Sequence, residues 1–136
     1  MNEPDTISRI LNEFKTIAVI GLSDKPERDS YQVAKYMRDH GYRIIPVNPM
    51  IKEWMGEKSY PDLKSVPEQI DVVDIFRRSE FVADIVDEAI EVGAKAVWMQ
   101  LGVIDEEAAK KAEAAGLLVV MDKCMKIEHS HQLSKS

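Results

Sequence analysis

Cysteine occurs once in 136 residues, as Cys124. A lone cysteine excludes an intrachain disulfide and a zinc site built from several thiolates. Basic residues are the minority: 18 Lys and Arg against 24 Asp and Glu leave a formal net charge of −6. That balance argues against a general nucleic-acid or anionic-membrane surface, so any basic site has to be local. No run approaches the ~18 consecutive apolar residues of a membrane-spanning helix. The amino terminus lacks the basic-then-apolar order of a secretory signal, which makes the cytoplasm the expected compartment. Internal repeats and low-complexity segments are absent as well.

What is present is the balance of one globular domain, 45% hydrophobic and 31% charged, long enough to bury a core without staples. Ile7, Ile10, Leu11 and Phe14 recur at the spacing of one helix face, with Asp5 or Thr6 as N-cap. An alternation follows. Strands are predicted at 17–20, 43–48, 71–76, 96–100 and 117–121. Helices are predicted at about 30–40, stopped by Gly41, at 79–92, capped by Ser79, and at 106–115, capped by Asp105. A turn-rich loop spans 50–69 with at most one helical turn, and the residues after Ile127 read as a flexible tail, 129–136. Residues 1–128 thus form one domain, with 1–15 as a helix packed on it.

Near-continuous apolar strands alternating with amphipathic helices imply a five-stranded parallel sheet covered on both faces, a Rossmann-like α/β/α sandwich. Strand order 3-2-1-4-5 is the first expectation and 2-1-3-4-5 the alternative. In either, a ligand binds at the carboxyl ends of the strands, beside the switch point. The loops on that rim carry Lys25 and Arg28, then Lys52 and Lys58, Arg77 and Arg78, and Lys123 and Lys126. Such a cluster on an acidic protein suits a polyanion, which the helix start at Ser30 also favours. Gly21 stands alone where a dinucleotide fingerprint has three glycines, and the second strand ends in Asn48 and Pro49 without the acid that holds an NAD ribose. Phe76 offers either a core residue or a stacking surface. Trp54 and Met55 offer either packing or the cover of a ligand or homodimer contact.

The stretches IAVIGLSDKPERDSYQVAKY, GYRIIPVNP, DVVDIFRRSE and GAKAVWMQLGVIDEEAAKKAEAAGLLVVMDKCMKIE, in that order over about residues 10–128, resemble the small stand-alone CoA-binding proteins of prokaryotes. They are similar also to the CoA-binding domain of the succinyl-CoA synthetase alpha subunit. The resemblance implies a Rossmann-like domain that binds coenzyme A or an acyl-CoA. It assigns Gly21, Leu22 and Ser23, with Lys25 beside them, to the phosphate turn, and Ser30 and Tyr31 to the helix start facing it. Asn48 and Pro49 match the second-strand turn, Lys52 the cation near the 3′-phosphate, and Phe76 and Arg77 the third-strand end. Gln100 and Gly102 border the pantetheine path. Cys124 matches the cysteine of the synthetase's Asn-Cys-Pro-Gly turn, here Asp122-Lys123-Cys124-Met125 without the proline. CoA carries more negative charge than NAD, which suits cations beside a turn poor in glycine.

Two other classes remain open from sequence: an enzyme on a nucleotide or nucleotide sugar, and a regulatory interaction module. Candidates for a general acid or base are thin, since Asp24 and Asp122 read as turn-formers and His40 as a helix-end dipole partner. His129 and His131 with Glu128 are a weak metal set. A phosphoreceiver needs an acidic cluster after the first strand, and Gly21-Leu22-Ser23 is not acidic. The chain on its own is expected to make no acyl-CoA, because the synthetase needs a phosphorylated histidine and a nucleotide-binding partner outside this domain. Cys124 reads either as a small buried hydrophobe or, with Lys123 and Lys126 flanking it, as a thiol within reach of the CoA sulfur.

Overall fold

The computed structural model describes residues 1–135; Ser136, the last residue of the expected tail, lies outside them. The chain runs α1 (Pro4–Glu13), β1 (Thr16–Ile20), α2 (Asp29–Asp39), β2 (Arg43–Val47), a hairpin of β3 (Glu53–Trp54) and β4 (Glu57–Lys58), β5 (Val72–Ile75), α3 (Val82–Glu91), β6 (Ala96–Met99), α4 (Glu106–Ala114), β7 (Leu118–Val120) and α5 (Met125–Lys135). The main sheet has five parallel strands in the order β2-β1-β5-β6-β7. Thr16, Arg43 and Asp74 apart, its strands are apolar, because both faces are covered. Ala18, Ile20, Val73, Ile75, Val97 and Met99 pack with Val82, Val86 and Ala89 of α3 and Ala109 of α4. Ile17, Val19, Val72 and Trp98 pack with α1, α2 and Met125 of α5. No helix among the described residues is long and apolar enough to cross a membrane.

The order is 2-1-3-4-5 when only these five strands are counted, which overturns the first expectation of 3-2-1-4-5. The reason lies in what covers β2. Tyr60 forms an isolated parallel bridge to Val47, donating from its N–H to Pro46 O at 3.0 Å, while Asn48 N donates to Tyr60 O at 2.8 Å. The outer border of β2 is thereby taken, and Pro46 has no N–H to offer a further strand. The chain crosses back and β5 pairs with the free side of β1.

Local signals account for the remaining differences. α1 begins at Pro4, with Glu3 rather than Asp5 or Thr6 in the cap position; proline suits the first turn, where its missing N–H has no intrahelical partner. Ser79 does not cap α3: its hydroxyl accepts from Ile104 N at 2.9 Å, and a 3-10 turn over Ser79–Phe81 precedes the helix. Asp105 caps α4 by accepting from Ala108 N at 3.0 Å. The loop after β2 holds the small hairpin, which buries Trp54.

The segment read as a flexible tail is instead helical as α5. Its apolar signal is weak, but it docks through an aromatic cluster. Tyr36 OH and His129 Nδ1 lie 3.0 Å apart, and the His129 ring stands 5.4 Å from Tyr36, 5.1 Å from His40 and 5.6 Å from Tyr42. Burial, then the charges of His40 and Lys15, hold the His129 imidazole below its ordinary pKa. A depressed pKa means that this contribution is present above the ordinary imidazole value and is lost as pH falls through the lower folded-state value. His129→Ala is expected to cost about 1 kcal/mol near neutral pH. Hydrogen exchange should show faster amide exchange across 125–135 in the variant, and the wild type should approach it on acidification.

Candidate ligand site at the strand carboxyl ends

β1 and β5 are neighbours whose chains leave in opposite directions, β1 toward α2 on one face and β5 toward α3 on the other. The crevice between their carboxyl ends is the switch point of the sheet. Gly21 follows β1 at φ +82°, and a Cβ there would stand 2.6 Å from the Phe76 carbonyl oxygen. Only glycine allows the two loops to approach this closely. A polar basin of about 440 Å³ opens beside it, lined by Gly21, Ser23, Lys25, Arg28, Asp29, Ser30 and Phe76.

The basin gathers groups that favour negative charge. α2 starts here with Arg28 in the cap position and no side-chain cap, so its first N–H groups are open to a ligand. Ser30 Oγ accepts from Ser23 N at 3.0 Å and Ser23 Oγ accepts from Lys25 N at 3.1 Å. Each hydroxyl still has its own proton to donate. Lys25 and Arg28 supply two cations against the single carboxylate of Asp29.

Asp29 and Phe76 also line a second cavity, a chamber of about 610 Å³ whose walls include Val33, Arg77, Gln100, Leu101, Cys124 and Ile127. The turn bearing Cys124 is pinned from two sides. Trp98 Nε1 donates to Lys123 O at 2.9 Å, and Asp122 Oδ1 accepts from Gly102 N at 2.7 Å while Asp122 itself adopts φ +60°. These bonds give the Asp122-Lys123-Cys124-Met125 turn a definite shape without a proline.

The residues singled out from sequence divide between these cavities and their surroundings. Gly21, Ser23, Lys25, Ser30 and Phe76 meet in the basin; Phe76 again, Arg77, Gln100, Gly102 and Cys124 meet in the chamber. Leu22 is fully buried, and its carbonyl accepts from Asn48 Nδ2 at 2.9 Å, so both hold the β1 turn against the β2 turn. Tyr31 packs edge-on against Trp54 with centroids 5.7 Å apart, and Trp54 is core, not a cover. Pro49 faces a separate cavity with Pro61 and Phe81. Lys52 is exposed, and with Lys58 and Lys123 it lines neither the basin nor the chamber.

Three comparisons bear on this geometry. The family model described as a CoA binding domain matches residues 15–130. The chain belongs to that family. The uncharacterized protein YneT of Bacillus subtilis (strain 168) is 45% identical over 124 residues, 91% of this chain and 92% of its own length. A solved hypothetical protein from Pyrococcus horikoshii OT3 is 44% identical at a TM-score of 0.92, covering 96% of this chain and 92% of its own. The alpha subunit of acetate–CoA ligase [ADP-forming] II from Pyrococcus furiosus is 29% identical over 126 residues; the match takes in 85% of this chain and 28% of that subunit.

One group in this CoA-binding domain escaped the sequence reading. Asp74 sits in the middle of β5 at 1% exposure, its Oδ1 accepting from Gln100 Nε2 at 2.7 Å. The signal was an acid inside an otherwise apolar strand, in Val72-Val73-Asp74-Ile75. Burial raises its pKa to about 7, the Gln100 bond opposing the shift. A raised folded-state pKa means the native chain holds this proton more tightly, so the associated stability is present below the ordinary carboxyl value and lost as pH rises through about 7. Asp74→Asn removes the ionisation and keeps a partner for Gln100. Its unfolding free energy relative to wild type is expected to rise by a few kcal/mol from acid to mildly alkaline pH, at about 1.4 kcal/mol per pKa unit. Denaturant titrations at several pH values measure it.

Proposed function

We propose that this chain binds coenzyme A or an acyl-CoA as a binding or sensing module without ligase activity of its own. The observation that carries the reading is the pair of adjoining cavities of opposite character, which share Asp29 and Phe76. One offers cations, hydroxyls and an open helix start. The other is mostly apolar and runs toward a thiol. A ligand with a phosphorylated nucleotide at one end and a neutral arm ending in sulfur matches both. Lys25 and Arg28 then take the diphosphate with the α2 N–H groups, and the arm runs past Phe76 and Gln100 toward Cys124.

Calorimetry with CoA, dephospho-CoA and NAD tests this. CoA is expected to bind tightest, with dephospho-CoA weaker by about 1.5–3 kcal/mol if the 3′-phosphate meets a charged donor. Added salt is expected to weaken all three by screening phosphate contacts. Equal affinities for the three ligands would overturn the proposal.

Cys124 is half-buried on the chamber wall beside Lys126. Its thiol is expected to exchange with CoA disulfide, forming one protein–CoA disulfide and releasing one CoA thiol. Intact mass should show a single added CoA that reductant removes and that Cys124→Ser lacks. A wild type that binds CoA yet gains no mass would make Cys124 a wall residue only.

A further inference from the structure

The floor of the apolar chamber carries one polar pair. Gln100 is 4% exposed and Asp74 1% exposed, yet Gln100 lines the cavity. Among the described residues, the bond from Gln100 Nε2 to Asp74 Oδ1 is the one hydrogen bond made by either side chain. One end of the Gln100 amide is therefore occupied from behind, and the other end has no protein partner.

A carboxamide has two unlike ends, an oxygen that accepts and an NH₂ that donates. Which end turns outward depends on the group behind it. An ionised carboxylate only accepts, so it takes the NH₂ and leaves the Gln100 oxygen outward. A protonated carboxyl can donate its O–H to that oxygen, which leaves the NH₂ outward. The two arrangements place heavy atoms almost identically and differ in what they offer a ligand.

We propose that the Gln100 amide, oriented by Asp74 behind it, is the group in the chamber that distinguishes an acyl thioester from a free thiol. The inference rests on the CoA reading of the cavities. With Asp74 protonated, the outward NH₂ donates to the thioester carbonyl. With Asp74 ionised, the outward oxygen repels that carbonyl and accepts the S–H of free CoA instead. Gln100 touches the ligand, while Asp74 acts through it as a positioning residue.

The surroundings leave Asp74 free to act as this selector. The charged and titratable groups around the chamber are Asp29 and Lys126, from α2 and α5, Arg77 and Arg78 after β5, and Cys124 before α5. On the strands beside it, its register partners are the apolar Val19 and Trp98. Burial raises its carboxyl pKa to about 7, with the Gln100 bond opposing the shift. Ligand preference is therefore expected to change across the neutral range.

The test is calorimetry of the full chain with CoA and with acetyl-CoA, about one unit below and one unit above the Asp74 midpoint. Both ligands carry the same phosphates, so their titration cancels in the ratio of affinities. In the wild type the preference for acetyl-CoA should fall roughly tenfold from the acid to the alkaline condition, about the worth of one hydrogen bond. Asp74→Asn should remove the pH dependence of the ratio, and Gln100→Leu should remove the discrimination at both conditions. Thermal unfolding establishes that each variant is folded; the wild-type ratio decides the matter even if one is not. Binding of both ligands with a ratio indifferent to pH would overturn this inference and leave the CoA reading standing. Binding of neither would overturn both.

Discussion

The close crossing of two loops at Gly21 governs where everything else in the site can stand. The chain leaving β1 passes against the backbone carbonyl of Phe76 at the end of β5, with no room for a side chain. That contact draws the start of α2 over the sheet and brings its open N–H groups to the crevice. It also makes Phe76 a shared wall, with the cationic basin on one side and the apolar chamber on the other. A larger residue at Gly21 would have to lift α2 or push back the β5 loop, and either movement separates the two cavities.

The chamber's far wall depends on bonds from neighbouring strand ends. Trp98 buries its ring beneath the sheet surface and uses its indole N–H on Lys123 O. Gly102 holds Asp122 in a left-handed turn. Together these set the angle at which α5 departs, and the Tyr36–His129 contact secures its far end. A side chain on β6 thus fixes the position of Cys124, which lies beyond β7.

The alternation of apolar strands with amphipathic helices was legible in sequence because burial on both faces imposes it on every strand. Strand order was less legible, though Pro46 within Arg43–Val47 marks that strand as a border strand and so favours the observed order. Ser79 is a good cap residue by type, but a tertiary acceptor role for Ile104 N claims its hydroxyl. α5 went unseen because its apolar residues form no clear stripe and its docking relies on aromatic and imidazole contacts, which periodicity does not register. Among the candidate residues, Gly21, Ser23, Phe76, Arg77 and Gln100 follow strand ends and line one cavity or the other. Lys52 and Pro49 were placed by their position after β2, yet neither lines the basin or the chamber, and the loop between β2 and β5 is taken up by the hairpin and the Tyr60 bridge.

The same bridge has a consequence for how this sheet meets other molecules. Beside β2, Tyr60 already occupies Pro46 O and supplies the acceptor for Asn48 N. At the opposite border, the Asn2 side chain imitates a passing strand: its Oδ1 accepts from Met121 N and its Nδ2 donates to Met121 O, both at 2.7 Å. Backbone groups that would template an incoming strand at the carboxyl end are thus satisfied within the chain. A second copy adding a strand at that end would first have to displace these bonds, so side-chain surfaces are the less costly route to self-association there and strand exchange is kept away from the crevice.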